Sequence, residues 1–109
     1  MTNQNRSQSK QQLLNQIQVL EQNIQQLNET KQKLQRSLAE LDSAAEHLDD
    51  TDTPHRLIGN ILVAQKKEEV EDYVETQRTQ QQKRVQELKE SQERLQKQLE
   101  EVKSEVVEE

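Results

Sequence analysis

Cysteine, tryptophan and phenylalanine are absent from this chain, and glycine, proline and tyrosine occur once each. Without cysteine there can be no disulfide, no thiol redox chemistry and no thiolate zinc site. With one aromatic residue and 28% hydrophobic residues in a length of 109, the chain cannot bury a compact globular core of its own. The composition leaves either disorder or long helices with a narrow apolar seam, and the periodicity has to decide between them.

Long apolar runs and excess positive charge are also missing. No apolar segment is long enough to span a bilayer, and the residues after Met1 are polar rather than an apolar signal sequence. The formal net charge of -6 argues against duplex nucleic acid or an anionic membrane as a partner, because both favour basic surfaces. We expect a soluble cytoplasmic protein that binds neither nucleic acid nor membranes.

Apolar residues do recur at alternating spacings of four and three along two segments. The first repeat begins at Leu13, and Lys31 is the only residue that breaks its apolar rule. The second repeat begins at Val74 and is more polar in its middle. Heptad repeats of this kind predict helices of a coiled coil, which we expect over about 9–49 and about 66–107.

The only glycine lies in the one place where apolar residues run together, between the two heptad segments. Gly59-Asn60 is preceded by Leu57-Ile58 and followed by Ile61-Leu62-Val63. Gly at the first central position of a turn accepts a positive φ, and Asn tolerates left-handed geometry. The pair therefore predicts a β-hairpin over about 55–64 whose two-residue turn is Gly59-Asn60. A lone two-stranded hairpin is marginal in water and has open edges, so we expect hairpins of other chains to complete it.

The position of this turn also decides which seam residues face each other. If the chain folds back between Gly59 and Asn60, residues whose numbers add to 119 are paired, which places Leu20 opposite Leu99 and keeps both seams in phase. Two heptad repeats would agree in phase by accident about one time in seven, so the match favours an antiparallel helical hairpin. On the same rule polar seam residues face apolar ones: Lys31 meets Leu88, Gln92 meets Leu27 and Gln81 meets Leu38.

A few apolar residues lie off the seams, where a two-helix coiled coil offers them no partner. Val70 and Tyr73 are close to the hairpin in sequence. Leu14, Val19 and Val107 belong to the opposite end of the predicted helical pair. Exposed aliphatic groups at one end of a polar rod are typical of a binding surface, but ordinary scattered surface aliphatics explain so few residues equally well.

The residues needed for catalysis are not found. The two histidines, His47 and His55, are predicted at a helix end and in a strand, with no nucleophile, glycine-rich phosphate loop or metal-ligand spacing around them. The many glutamates occupy outward heptad positions, which is their usual place in coiled coils. We therefore expect no enzyme activity, no cofactor and no bound metal.

Two segments resemble a beta-type prefoldin subunit, and more closely the archaeal form. They are Leu57-Ile58-Gly59-Asn60-Ile61-Leu62-Val63 and Lys66-Lys67-Glu68-Glu69-Val70, which opens the second helix. The single hairpin suits the beta class, since alpha-type subunits carry two. The resemblance implies one prefoldin-like domain over 1–109 that is mainly α, a long antiparallel two-helix coiled coil joined by one β-hairpin that assembles into an intersubunit β-barrel.

The same resemblance implies a function. Prefoldins are hexamers of two alpha-type and four beta-type subunits that hold unfolded proteins at the coiled-coil tips, without ATP, and deliver them to a group II chaperonin. Assembly is then expected of a hairpin surface made of Leu57, Ile58, Gly59, Asn60, Ile61, Leu62 and Val63. Client binding is expected of a terminal cluster made of Leu13, Leu14, Ile17, Val102, Val106 and Val107. The alternative is a structural coiled-coil spacer or adaptor that binds one folded partner.

Overall fold

Two long helices and one hairpin make up the chain in a computed structural model that describes the backbone of residues 2–108 and the side chains of residues 10–107. The elements in order are helix α1 (Thr2–Leu48), strands β1 (His55–Ile58) and β2 (Ile61–Ala64), and helix α2 (Lys67–Glu108). The two strands pair antiparallel and form a two-stranded sheet. This architecture confirms the predicted fold class, while the β-barrel between subunits stays a prediction.

Helix α1 begins at Thr2, well before the start expected near residue 9. The first residues are polar, but they contain neither Gly nor Pro, and polarity alone does not end a helix. The helix ends at Leu48, where the Thr51 N–H donates to the Leu48 carbonyl at 3.3 Å and the Thr51 hydroxyl donates to the His47 carbonyl at 3.1 Å. Pro54 follows, and it opposes continuation of the helix because it has no N–H to donate and disfavours the α region at Thr53.

The hairpin has the predicted register. Leu57 lies opposite Leu62 and Ile58 opposite Ile61, and the Gln65 N–H extends the ladder by donating to the Pro54 carbonyl at 3.0 Å.

The backbone of the turn differs in one detail from the expected geometry. Gly59 has a φ of 60°, whereas no other described residue has a positive φ, so Asn60 does not adopt the left-handed geometry expected of it. A positive φ at the first central position alone is the pattern of a type II′ turn. A Cβ added at Gly59 would meet no atom within 4 Å, so the turn needs glycine for its backbone conformation and not for space.

Helix α2 begins where the sequence placed it. The Lys66 carbonyl accepts the Val70 N–H at 3.2 Å, and Glu68 and Glu69 occupy the first turn. Carboxylates at this end stabilise the helix because they face the positive end of its dipole.

Residues 32–86 form one compact unit, which contains the hairpin. Its buried core consists of the seam residues Leu48, Val74 and Val85. Arg78, a polar seam residue, is tied to its surroundings by two ion pairs, with Asp42 at 2.8 Å and with Glu75 at 3.0 Å. The helices of this unit are therefore joined by aliphatic seam contacts and by the ion pair between Arg78 and Asp42.

Gln81 is a polar residue of the same seam that lowers its stability. Its side-chain oxygen is buried, and no described residue donates a hydrogen bond to it. We expect Gln81→Leu to raise the free energy of unfolding by about 1–2 kcal/mol, because the change removes a desolvated acceptor and restores an apolar seam position. Urea titration followed by circular dichroism at fixed protein concentration measures the effect.

Gln82→Leu is the matched control for this change, because the neighbouring side chain is exposed. An exposed substitution of this kind changes stability by about 0.5 kcal/mol or less. Equal gains from both variants would trace the effect to helix propensity and not to the seam. A loss of stability in Gln81→Leu would show that the amide is well accommodated.

The second compact unit combines the beginning of the chain, up to Lys31, with its end, from Glu87. Leu88 and Leu99 are its most buried residues, 3% and 4% exposed. Leu20 and Ile24 of α1 are half-buried, as seam positions should be. This unit is therefore held together by the same aliphatic periodicity that the sequence displays.

A layer of three half-buried polar side chains interrupts that seam. Lys31 Nζ donates to Gln92 Oε1 at 2.7 Å, and Gln92 Nε2 donates to Asn28 Oδ1 at 3.4 Å. The expectation that Lys31 and Gln92 each face a leucine missed this bond, because long side chains reach beyond the residue directly opposite. A polar layer in a coiled-coil seam lowers stability but favours one register.

Candidate functional site

Five aliphatic side chains of the hairpin surface are exposed in the single chain. The exposed fractions are 64% for Leu57, 51% for Ile58, 68% for Ile61, 68% for Leu62 and 38% for Val63. Such a dense apolar patch in an otherwise polar protein marks an interaction surface. The hairpin residues predicted for assembly thus lie together and are accessible.

Both faces of the hairpin carry large aliphatic groups. Because side chains alternate along a strand, Leu57 and Leu62 project from one face and Ile58 and Ile61 from the other. Within residues 2–108 the sheet has only these two strands, so both outer edges also keep unpaired N–H and C=O groups. Two open faces and two open edges make this hairpin marginal by itself and available for pairing with other strands.

One contact joins the hairpin to helix α2. The Arg56 guanidinium lies 4.1 Å from the centre of the Tyr73 ring, which is a cation–π interaction. Arg56 shares its strand face with Ile58 and Val63, and Val63 is the least exposed of the five aliphatic residues. The sequence indicated that Tyr73 lies near the hairpin but gave no sign of Arg56 as its partner.

The six residues of the terminal cluster all belong to the second compact unit. Leu13, Ile17, Val102 and Val106 are half-buried seam residues. The remaining two are exposed, Leu14 by 42% and Val107 by 84%. The cluster therefore divides into residues that hold the helices together and residues that are free to contact another molecule.

A groove beside the same seam was not anticipated from the sequence. It has a volume of 480 Å³, and its lining includes the aliphatic residues Val19, Leu20 and Val102 and the carboxylates of Glu101 and Glu105. Val19 is 55% exposed. The sequence grouped Val19 with Leu14 and Val107 as off-seam aliphatic residues but did not predict a groove. The adjacent pair Val19-Leu20 was a signal that the apolar stripe widens here.

Neither a metal centre nor a membrane span is found in the described part of the chain. No group of three or more His, Asp or Glu side chains there could hold a metal ion. None of its helices combines the length and the apolar character that crossing a bilayer requires.

Comparison with known proteins agrees with this geometry. A family model described as prefoldin subunit matches residues 11–109. The crystal structure of the prefoldin beta subunit from Thermococcus strain KS-1 superimposes with a TM-score of 0.80 at 21% sequence identity, over 89% of this chain and 88% of that chain. At this identity the likeness shows the fold. Comparison with curated proteins gives no significant match.

Prefoldin subunits are non-enzymatic chaperones that assemble with other prefoldin subunits. A chaperone-type role in general follows from the family. The family model covers almost the whole chain, and the fold is shared with the Thermococcus subunit over nearly the same length. This chain belongs to the prefoldin subunit family.

Proposed function

We propose that this chain is the beta-type subunit of an archaeal-type cytoplasmic prefoldin, a hexamer of two alpha-type and four beta-type subunits. The hexamer holds unfolded proteins without ATP and delivers them to a group II chaperonin. The observation that supports this proposal best is the distribution of exposed aliphatic residues. They occur on the hairpin surface and, in the other compact unit, on the terminal cluster and beside it.

The hairpin surface is the proposed assembly site. Its five aliphatic side chains are 38–68% exposed in the single chain, and joining other hairpins in a β-barrel would remove them from water. Burial of this kind stabilises by about 1–2 kcal/mol for each partly exposed aliphatic side chain. Pairing of the open strand edges adds backbone hydrogen bonds, and these fix the geometry of the joint.

The terminal cluster is the proposed client site. Leu14 and Val107 offer aliphatic contacts without a shaped pocket, which suits partners that share exposed apolar segments and no common structure. Binding of this kind needs no nucleotide. The only glycine of the sequence is committed to the hairpin turn, so the chain has no glycine-rich phosphate loop.

Protection of denatured proteins tests the proposal. The chain, assembled with an alpha-type prefoldin subunit, should suppress the aggregation of several unrelated proteins diluted from denaturant. We expect at least about a fivefold drop in light scattering near stoichiometric ratios, with no change on adding ATP, because apolar contacts carry the binding.

The alpha-type subunit alone, at the same concentration, is the control for this assay. A structural spacer would assemble normally and protect none of the denatured proteins, whereas an adaptor would bind one folded partner only. Either result would reject the chaperone function and leave the family assignment in place.

A further inference from the structure

The groove beside Val19 is lined by aliphatic and acidic side chains, and its two exposed glutamates, Glu101 and Glu105, are called the acidic rim. Val19, Leu20 and Val102 supply aliphatic surface, and the charged residues of its lining are Glu101 and Glu105, with no Lys or Arg among them. The other lining residues are the amides Asn15, Gln16 and Gln98. A volume of 480 Å³ lies within the range of clefts that take small molecules or peptide side chains.

No described side chain forms an ion pair with the two carboxylates of the rim, and the cation one turn before Glu101 on α2, Lys97, lines an adjacent groove with both of them. The neighbouring Lys103 is engaged by Glu21 at 3.9 Å. As residues four apart on one helix face, Glu101 and Glu105 repel each other by a few tenths of a kcal/mol. A cation placed between them would relieve this repulsion.

Helix stability does not account for the acidic rim either. Glu105 lies close to the end of α2, whose last turn contains no basic residue. Carboxylates near the C-terminus of a helix are unfavourable, because they face the negative end of the helix dipole. The rim therefore concentrates negative potential beside the exposed Val19.

We infer that this groove binds client segments in which an aliphatic side chain is flanked by Lys or Arg, and that it disfavours segments flanked by Asp or Glu. The aliphatic side chain contacts Val19, Leu20 and Val102, and the flanking cation lies between Glu101 and Glu105. The inference rests on the proposed client binding and deepens it by naming the class of segment selected. A second groove in the same unit is larger, 620 Å³, but it has no acidic rim. The one charged residue of its lining is Arg94, and the other seven lining residues, which include Asn23, Leu27, Ser91 and Leu95, are uncharged.

Labelled disordered peptides test this selection on the assembled protein. Each peptide carries several Leu residues in a Gly/Ser background, flanked by Lys, by Gln or by Glu, and binding is followed by fluorescence anisotropy. We expect the Lys-flanked peptide to bind about three- to tenfold more tightly than the Gln-flanked one at low salt, as two exposed ion pairs allow, and the Glu-flanked one to bind more weakly. The difference should shrink as salt is raised.

Two pairs of variants locate the effect. The double variant Glu101→Gln/Glu105→Gln should remove the preference for the Lys-flanked peptide and leave the affinity for the Gln-flanked peptide unchanged. Glu40→Gln with Glu46→Gln makes the same change in net charge at exposed positions of the other compact unit, and it should keep the preference. Val19→Ser should weaken the binding of all three peptides, because it removes aliphatic surface that they share as a contact.

The outcomes separate this inference from the proposed function. Equal affinity for all three peptides, or equal loss of preference in both charge variants, would overturn charge selection at the groove while client binding stands. Protection of denatured proteins without binding of any peptide would also overturn the inference alone. Failure of both peptide binding and protection would overturn the client-binding function together with it.

Discussion

Ile61→Asp is expected to dissociate the assembled particle into free subunits while the chain itself stays folded. Ile61 is 68% exposed in the single chain and lies opposite Ile58, directly after the turn. In the chain alone the Asp side chain would remain in water, so the fold loses little. In a barrel of several hairpins the carboxylate would be buried without a partner, which costs several kcal/mol.

A penalty of about 4 kcal/mol per hairpin weakens association roughly a thousandfold, and every copy of the subunit would carry it. Particle mass by light scattering measures the dissociation, and circular dichroism shows whether the helices persist. Ile61→Val should keep the particle, because it preserves an apolar side chain suited to a strand. Ala44→Asp adds the same charge at an exposed position of α1 and should also keep it. An unchanged mass for Ile61→Asp would reject the hairpin as the interface.

The register of the hairpin was predictable because few residues determine it. A two-residue turn at Gly59-Asn60 leaves one antiparallel pairing, and the pairs from Ile58–Ile61 to His55–Ala64 all obey it. The burial of the seam was predictable for a similar reason. A heptad repeat places its residues on one side of a helix, and from Leu13 to Val106 they are buried or half-buried.

Contacts that depend on side-chain reach were not predictable. The bond between Lys31 and Gln92 draws in Asn28, which lies off the seam, so a rule based on opposite positions cannot find it. The contact between Arg56 and Tyr73 joins a strand to a helix, and its geometry depends on the orientation of the hairpin relative to α2. The unpaired oxygen of Gln81 likewise reflects one rotamer in one place and has no signature in the heptad pattern.

The candidate sites were predictable as regions but not as sets of equivalent residues. The sequence grouped Leu14 and Val107 with Ile17 and Val106 because all are aliphatic and near the chain ends. Their burial separates them, since the first two are exposed and the last two are half-buried in the seam. This division matters for experiments, because replacing a seam residue would loosen the helices and confuse lost binding with lost structure.

Leu14→Ser combined with Val107→Ser is therefore the sharper test of client binding, and we expect it to abolish most of the protection of denatured proteins. Each change removes an exposed aliphatic group worth about 1–2 kcal/mol in a contact that excludes water. The two together remove about 2–4 kcal/mol, so they should reduce client affinity roughly 30- to 800-fold at each subunit. In the proposed hexamer several subunits would hold one client at once, so the loss would multiply across the particle.

Aggregation of unrelated denatured proteins, measured beside particle mass and thermal unfolding, reports the loss and shows that it is not a folding defect. Ala39→Ser with Ala44→Ser introduces the same side chain at two exposed positions of the other compact unit and should protect as well as the unmodified chain. Leu14→Met with Val107→Ile keeps the aliphatic surface and should restore protection, because contact with disordered clients depends on apolar area more than on shape. Full protection by the double Ser variant would show that clients bind elsewhere and would remove the terminal cluster from the function.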